Sequence, residues 1–282
     1  MKLFRCGPPG QERPGVLDRA GARRDLGGLV PDITPAWLAS PDFHALRSMD
    51  RAALPLIADE ERLGPPVSGV GKIVCVGLNY HDHVREVGMT PPAEPALFMK
   101  ATSAITGPFD PILLPRDHSK VDWEIELGIV IGRLARYVDE GDALEHVAGY
   151  CIVNDVSERR FQLECGGQWT KGKSCDTFAP LGPYLVTRDE AAAAVGLRLW
   201  LDVNGKRMQS SSTSEMIFGV GKLVHYISRF MTLQPGDIIA TGTPAGVAAG
   251  MKEPRWLRAG DTLKFGIDGL GEQSHAVIAA AD

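Results

Sequence analysis

The chain has 282 residues, of which 44% are hydrophobic and 23% charged, and this composition predicts a globular protein with one large domain or a large and a small one. Its net charge of −5, without basic runs interleaved with aromatic residues, argues against a nucleic-acid-binding surface. The N-terminus lacks the apolar core of a secretory signal peptide, and no stretch approaches the roughly 20 apolar residues of a membrane span. We therefore expect a cytoplasmic protein. The five scattered cysteines lack a CxxC spacing, which predicts reduced thiols.

The first 70 residues predict a small β-rich domain. Short apolar segments alternate with turn-rich stretches such as GPPGQERPG, and short helices are predicted over residues 34–38 and 41–46. A cluster of glycine and proline from Gly64 to Gly71 marks a boundary. Residues 71–282 then form the larger domain, which gives an α+β fold dominated by strands.

The stretch DWEIELGIVIG, residues 122–132, predicts a strand that carries two acids on one face. Alternation points Glu124 and Glu126 to the same side, with Cα atoms about 6 to 7 Å apart, so both can reach one cation. The apolar run that follows is typical of a strand covered on both sides, where acids need a counter-charge. A solvated strand face is the alternative.

Asp155 supplies a third acid, at the end of a predicted strand over residues 147–153. It can cap a helix over VSERRFQLE, and that role does not exclude metal ligation. Three carboxylates without a cysteine or histidine partner indicate a site for Mg²⁺, Mn²⁺ or Ca²⁺ rather than zinc.

HDHVREVG predicts a short helix in which His83 and Glu86 are neighbours at positions i and i+3. Such a pair suits a general base and its orienting carboxylate, and a helix between glycine and proline punctuation can move as a lid. A surface helix with an ordinary histidine is the alternative. Lys100, in the next strand, is a candidate contact for a substrate anion and equally a solvated lysine.

GQWTKGKS, residues 167–174, matches the phosphate-loop pattern GxxxxGK[ST]. That loop needs a strand before it and a helix after it, and Pro180, Gly182 and Pro183 exclude the helix. We therefore reject a nucleotide site and keep Lys173 as a cation near Asp155.

The C-terminal third predicts a hairpin at Asn204-Gly205, a helix from Glu215 to Phe230 capped by Ser214, and a terminal hairpin. Between the helix and the terminal hairpin, ATGTPAGV offers hydroxyls and backbone N–H groups, including those at Thr243, to an anion. A plain tight turn is the alternative.

Six segments, in this order and spacing, resemble the fumarylacetoacetate hydrolase family: GLNYHDHVREVG, DWEIELGIVIG, YCIVNDVSERRFQ, WTKGKSCDTFAPLGP, MIFGVGKLVHYIS and QPGDIIATGTPAGV. The resemblance spans residues 73–282 and implies the family's mixed β-roll and a homodimer. It implies a divalent cation, Mg²⁺ before Mn²⁺ or Ca²⁺, on Glu124, Glu126 and Asp155. For the pocket it implies a lid dyad and four further contacts: His83, Glu86, Lys173, Thr243, Arg159 and Gln162.

The resemblance also implies an activity, the hydrolysis of a carbon–carbon bond in a 2,4-diketo acid to give pyruvate and a small hydroxy acid such as lactate. The N-terminal segment up to Pro66 is similar to that of a bacterial branch of the family. Within that branch the chain most resembles hydrolases of 2,4-diketo-3-deoxy sugar acids, such as the L-rhamnonate and L-fuconate derivatives. The resemblance leaves other activities on the same scaffold as alternatives to the hydrolase. They are those of an oxaloacetate decarboxylase, an isomerase and a ureidoglycolate lyase. A non-catalytic metal-binding module is a further alternative.

Overall fold

The computed structural model describes residues 1–191 and 194–280, and it is rich in strands, as predicted. The strands are β1 (Lys2–Cys6), β2 (Arg13–Leu17), β3 (Arg23–Asp25), β4 (Leu63–Gly64), β5 (Ile73–Gly77), β6 (Ala96–Lys100), β7 (Ile105–Thr106), β8 (Ile112–Leu114), β9 (Val121–Asp122), β10 (Ile125–Ile131), β11 (Val147–Asn154), β12 (Ser157–Glu158), β13 (Ala179–Thr187), β14 (Arg198–Val203), β15 (Lys206–Ser212), β16 (Ile238–Ala240), β17 (Thr262–Ile267) and β18 (Gly271–Ala279). The α-helices are α1 (Pro35–Leu38), α2 (Pro41–Ala45), α3 (His81–Glu86), α4 (Thr170–Lys173), α5 (Arg188–Ala191) and α6 (Val220–Ser228).

Two sheets form the body of the fold. In the described residues the larger sheet runs β3-β2-β1-β13-β11-β10-β16-β5-β6, with β4 and β7 attached at its side. A five-stranded sheet, β15-β14-β17-β18-β8, packs with its β14 and β17 against β10 and with its β18 against β13. All residues of β10 and β11 are buried, as their continuous apolar runs predict.

The N-terminal segment continues the larger sheet. Strand β1 pairs antiparallel with β13, with Lys2 opposite Val186 and Leu3 opposite Leu185. The two predicted short helices are present as α1 and α2, and the Thr34 side chain accepts the N–H of Trp37 at the start of α1. The division of the chain at residue 70 stays a prediction.

Both predicted hairpins are confirmed. Asn204 and Gly205 have φ values of 51° and 75° and connect β14 to β15, which is the backbone of a two-residue turn with positive φ at both positions. Strands β17 and β18 form the terminal hairpin.

The predicted helix from Glu215 to Phe230 is shorter in the structure, and the cap at Ser214 is wrong. Helix α6 begins at Val220, residues 213–215 form a separate 3-10 turn, and Asn79 holds Phe218 between the two. The Asn79 side chain accepts the N–H of Phe218 and donates to its carbonyl, at 2.8 and 3.0 Å. A tertiary contact therefore sets the helix start, which periodicity cannot reveal.

Two further local predictions are corrected near the acidic residues. The stretch 122–132 is divided into β9 and β10, and Glu124 lies in the gap between them. Asp155 is not a helix cap, because it is followed by β12, which pairs with β9, and the helical turn after β12 is a π-helix over Arg160–Glu164. Pairing of β12 with β9 takes the place of the predicted helical start.

The five cysteines are free thiols, as predicted, and Cys6, Cys75 and Cys151 are buried. None of the helices in the described ranges has the length and apolarity needed to cross a membrane.

Candidate active site

Three buried carboxylates lie together where the start of β10 pairs with the end of β11. The antiparallel register places Ile125 opposite Asn154, so Glu124 and Glu126 flank the end of β11, where Asp155 follows. One oxygen from each of the three carboxylates lies within 4.8 Å of the other two. The sequence-based expectation that these acids gather is confirmed, whereas their role as metal ligands stays a prediction.

Three cations surround two of these carboxylates. Lys173 Nζ donates to Glu124 Oε2 at 2.6 Å and to Asp155 Oδ2 at 2.7 Å, and Lys100 Nζ donates to Asp155 Oδ1 at 2.6 Å. Arg159 Nη2 donates to Glu124 Oε1 at 2.5 Å. Burial raises the pKa of Glu124, but Arg159 and Lys173 outweigh it and bring that pKa down to about 2.

Glu126 is the carboxylate without a cation. Its Oε2 accepts the N–H of Gly242 at 2.8 Å, and no ion pair within residues 1–191 and 194–280 includes it. Burial, and then the charges of Asp155 and Glu124, raise the pKa of Glu126 well above its ordinary value. A dication bound beside this buried carboxylate would supply the counter-charge that it lacks. Oxygen donors of this kind suit Mg²⁺, Mn²⁺ or Ca²⁺, so the residues present fit a divalent cation.

Asp122 fixes Arg159 and is not among the site residues predicted from the sequence. Asp122 Oδ2 accepts from Arg159 Nε and Nη2 at 2.9 and 2.8 Å, and its carboxylate also accepts the N–H groups of Ala248 and Ala249. Gln162 Oε1 accepts from Arg159 Nη1 at 3.0 Å. The alternation that selected Glu124 and Glu126 also points Asp122 to their side, and it was the available signal.

Replacing Asp122 with asparagine is expected to lower kcat/KM for the 2,4-diketo acid that the sequence resemblance implies as substrate by about 10- to 100-fold, because Arg159 loses the carboxylate that orients it. Asp268→Asn is the matched control, since Asp268 pairs with Arg198 on the surface, where both side chains are exposed. Steady-state kinetics of both variants test this expectation. Equal kcat/KM values for the two variants would show that Arg159 needs no partner at Asp122.

The predicted His83 and Glu86 pair is formed on α3. His83 Nδ1 lies 2.9 Å from Glu86 Oε2, and with the proton assigned to Nδ1 the histidine donates, which leaves Nε2 as the basic nitrogen. Glu86 Oε1 accepts the N–H of Gly246 at 2.8 Å, and Asp82 Oδ2 accepts from Ser211 Oγ at 2.5 Å. Helix α3 is thus tethered over the carboxylates, and His83 lines the same cavity of about 290 Å³ as Glu124 and Glu126.

Loop 241–247 binds the protein's own carboxylates. Its N–H groups at Gly242 and Gly246 are donated to Glu126 and Glu86. Thr243 Oγ1 donates to the carbonyl of Ile125 at 2.9 Å and accepts from Gln209 Nε2 at 2.8 Å, although Thr243 also lines the cavity. The loop therefore acts first as a brace between α3 and β10.

A side chain at Gly246 would break that brace. Its φ is +105°, and a Cβ there would lie 2.0 Å from the backbone oxygen of Met208. We expect Gly246→Ala to cost at least about 3 kcal/mol in the free energy of unfolding. Gly260→Ala is the control, because Gly260 has a φ of +92° and an added Cβ there would meet no atom within 4 Å. Denaturant titrations compare the two, and equal losses would mean that the close approach to Met208 is unimportant.

Two residues depart from what the sequence indicated. Lys100, a predicted substrate contact, is fully buried behind Asp155, where it also donates to the carbonyl of Val156, and it is not on the cavity wall. It therefore positions the Asp155 carboxylate. Gln209 has no signal in the sequence, yet its Oε1 accepts the N–H of Ile125 and its Nε2 holds Thr243.

Residues 72–278 match the family model described as fumarylacetoacetate (FAA) hydrolase C-terminal. The chain belongs to the fumarylacetoacetate hydrolase family. The predicted α+β fold of the family is therefore confirmed for this chain. A protein of Burkholderia cenocepacia strain J2315, provisionally named a hydrolase, is 54% identical over 274 residues, which cover 97% of each chain.

Three solved structures of the family are similar along the whole chain. Fumarylacetoacetate hydrolase from Exiguobacterium antarcticum is 39% identical, with a TM-score of 0.87 over 99% of this chain and all of that one. A probable 2-hydroxyhepta-2,4-diene-1,7-dioate isomerase from Mycobacterium abscessus is 31% identical, with a TM-score of 0.85 and full coverage of both chains. Maleylpyruvate hydrolase from Sphingobium sp. SYK-6, in complex with manganese(II) and pyruvate, is 30% identical, with a TM-score of 0.82 and full coverage of both.

Proposed function

We propose that this family member hydrolyses the carbon–carbon bond of a 2,4-diketo acid of the acylpyruvate type and releases pyruvate. The observation that carries the proposal is that a histidine held by a glutamate faces the same cavity as a buried carboxylate cluster. The similar hydrolase with bound manganese and pyruvate supports the product and the cation. We propose Mg²⁺ as the ion, because all three donors are hard carboxylate oxygens.

A divalent cation on Glu124, Glu126 and Asp155 would bind the carboxylate end of the acid and supply positive charge where negative charge develops. His83 Nε2 takes a proton from water, and the water oxygen bonds to the C4 carbonyl carbon. The bond between C3 and C4 then breaks, and its electron pair passes to the pyruvate enolate. The Lys173 ammonium, in the same cavity, lowers the energy of that negative charge. C3 then takes the proton that His83 accepted from water, which completes pyruvate and returns the histidine to its neutral form.

Glu86 orients the base in this scheme. Its carboxylate faces His83 Nδ1 and is itself held by the Gly246 N–H, so the ring keeps one orientation and its charged form gains a partner when the proton arrives. Helix α3, held over the cavity by the contacts of Glu86 and Asp82, keeps that proton transfer away from bulk water.

An isomerase or decarboxylase that uses the same three carboxylates is the second candidate, and the similarity to the Mycobacterium abscessus isomerase favours it. Neither reaction adds water across a carbon–carbon bond. The two candidates therefore differ in whether a second acid accompanies each pyruvate.

The test is to incubate the protein with Mg²⁺ and a panel of acylpyruvates, oxaloacetate and 2,4-diketo-3-deoxy sugar acids, the last being the substrate class that the sequence resemblance implied. We expect equimolar release of pyruvate and the second acid, measured by an enzyme-coupled assay and chromatography. Absence of pyruvate across the panel, with the cation shown to be bound, contradicts the proposal.

A further inference from the structure

The cavity has a charged floor, formed by Glu124, Glu126, Arg159 and Lys173. Above this floor lies an apolar wall contributed by separate segments of the chain. The cavity-lining side chains that form it are Val87 and Met89 after α3, Phe98 on β6, Leu163 in the π-helix, Trp169 before α4, and Val247. These residues carry no charge and no group that binds a hydroxyl strongly, apart from the indole N–H of Trp169.

This wall is a packed structure at its inner end. The rings of Phe98 and Trp169 meet edge to face at 5.3 Å between centroids. A Cβ on Gly77 would lie 3.1 Å from the Trp169 ring, so the glycine lets the ring pack directly against β5. Two aromatic rings thus have defined positions beside the floor, where Lys173 Nζ lies 4.9 Å from the Phe98 centroid.

At its outer end the wall leaves large apolar side chains open to solvent. Met89 is 54% exposed and Leu163 is 55% exposed, on two different segments that border the same cavity. Exposed apolar side chains that converge on a cavity mark a binding surface for an apolar group.

The cationic side chains of the cavity have carboxylate partners in the protein. Among the described lining residues, the lysine and arginine side chains are Lys173 and Arg159, and both are buried at the floor. Lys173 is paired with Glu124 and Asp155, and Arg159 with Asp122 and Glu124. The carboxylate end of a keto acid belongs with this floor, so a second carboxylate in the tail would face the apolar wall without a counter-charge, which is unfavourable.

Building on the proposed function, we infer that the substrate is a monoanionic acylpyruvate whose short tail beyond C4 is apolar. Acids with a second carboxylate in that tail, and polyhydroxylated tails such as those of the diketo-deoxy sugar acids, are poorer substrates. Within the apolar wall, Met89, Phe98, Leu163 and Trp169 then determine the specificity of this enzyme.

A matched pair of substrates tests the inference. Butanoylpyruvate and succinylpyruvate share the pyruvate end and the chain length, and they differ by a terminal methyl in place of a carboxylate. We expect kcat/KM to be at least about tenfold higher for butanoylpyruvate. A diketo-deoxy sugar acid is expected to fall below butanoylpyruvate in the same assay.

A charge placed on the wall should shift this preference. Leu163→Arg is expected to raise the ratio of succinylpyruvate to butanoylpyruvate kcat/KM by about tenfold, because the new guanidinium pairs with the tail carboxylate. Leu56→Arg is the control, since Leu56 is 69% exposed and lies outside the cavity, and its ratio should not change.

The outcomes separate the two proposals. Pyruvate release that is equal or faster with succinylpyruvate or the sugar acid overturns the inference and leaves the hydrolase function standing. An unchanged ratio in Leu163→Arg also overturns it. No pyruvate from any acid, with the cation bound, removes the hydrolase function and the inference together.

Discussion

Glu126→Gln is expected to abolish tight binding of a divalent cation and to lower kcat/KM by about 10³-fold. Bound cations contribute several kcal/mol to catalysis of this kind, and each tenfold in rate corresponds to about 1.4 kcal/mol. Glu126 is the buried carboxylate that lacks a cationic partner among the described residues, so it stands to gain most from the ion. Its amide replacement keeps the shape and removes the charge.

The effect of Glu126→Gln on the free energy of unfolding should depend on whether the cation is present. In the presence of a chelator, Glu126→Gln is expected to be at least as stable as wild type, because it removes one of three clustered acids. With Mg²⁺ at about 100 times its Kd, wild type should gain about 2.7 kcal/mol and the variant should gain little.

Thermal denaturation with and without the cation, together with calorimetric titration, measures both effects. Glu145→Gln serves as the control, because Glu145 is an exposed residue paired with Arg188 on the surface. A variant that still binds Mg²⁺ as wild type does would remove Glu126 from the site.

His83→Ala is expected to lower kcat for acylpyruvate hydrolysis by about 10²- to 10⁴-fold while the affinity for the cation stays unchanged. The histidine lies on α3, and its ring pairs with Glu86 rather than with the three carboxylates, so loss of the ring leaves the cation site intact. A large loss in kcat with constant cation affinity separates a base from a ligand.

His81→Ala is the matched control, an exposed histidine on the same helix. The panel should include oxaloacetate, because a decarboxylase does not need a base to activate water. Retention of carbon–carbon hydrolysis in His83→Ala would exclude His83 as the base, whereas loss of hydrolysis with retained decarboxylation would confirm the division of roles.

Much of the site could be predicted because it depends on local periodicity. Period-two alternation predicts that Glu124 and Glu126 share one side, and they do lie together although Glu124 precedes β10. Helical spacing brings His83 to Glu86. The first two relations are carried by short stretches of sequence, where spacing determines direction. Asp155 follows β11, the antiparallel neighbour of β10. Its position at the end of a predicted strand and the family resemblance, rather than periodicity, grouped it with the other two acids.

What could not be predicted depends on contacts between distant segments. Lys100 looks like a surface or substrate lysine in the sequence, but the packing of β6 beside β5 carries it behind Asp155. The Gln209 side chain, on the five-stranded sheet, accepts the N–H of Ile125 on the larger sheet. Asn79 holds Phe218 just before α6 begins. No periodicity encodes such contacts, because each joins residues that are far apart in the chain.

The most direct test of the account is a crystal of the protein grown with Mn²⁺ and pyruvate, measured at the manganese absorption edge. We predict one strong anomalous peak bound by carboxylate oxygens of Glu124, Glu126 and Asp155, with the pyruvate carboxylate in contact with it. A peak bound elsewhere, or a fully ordered site with these three carboxylates and no anomalous signal at saturating Mn²⁺, would contradict the account.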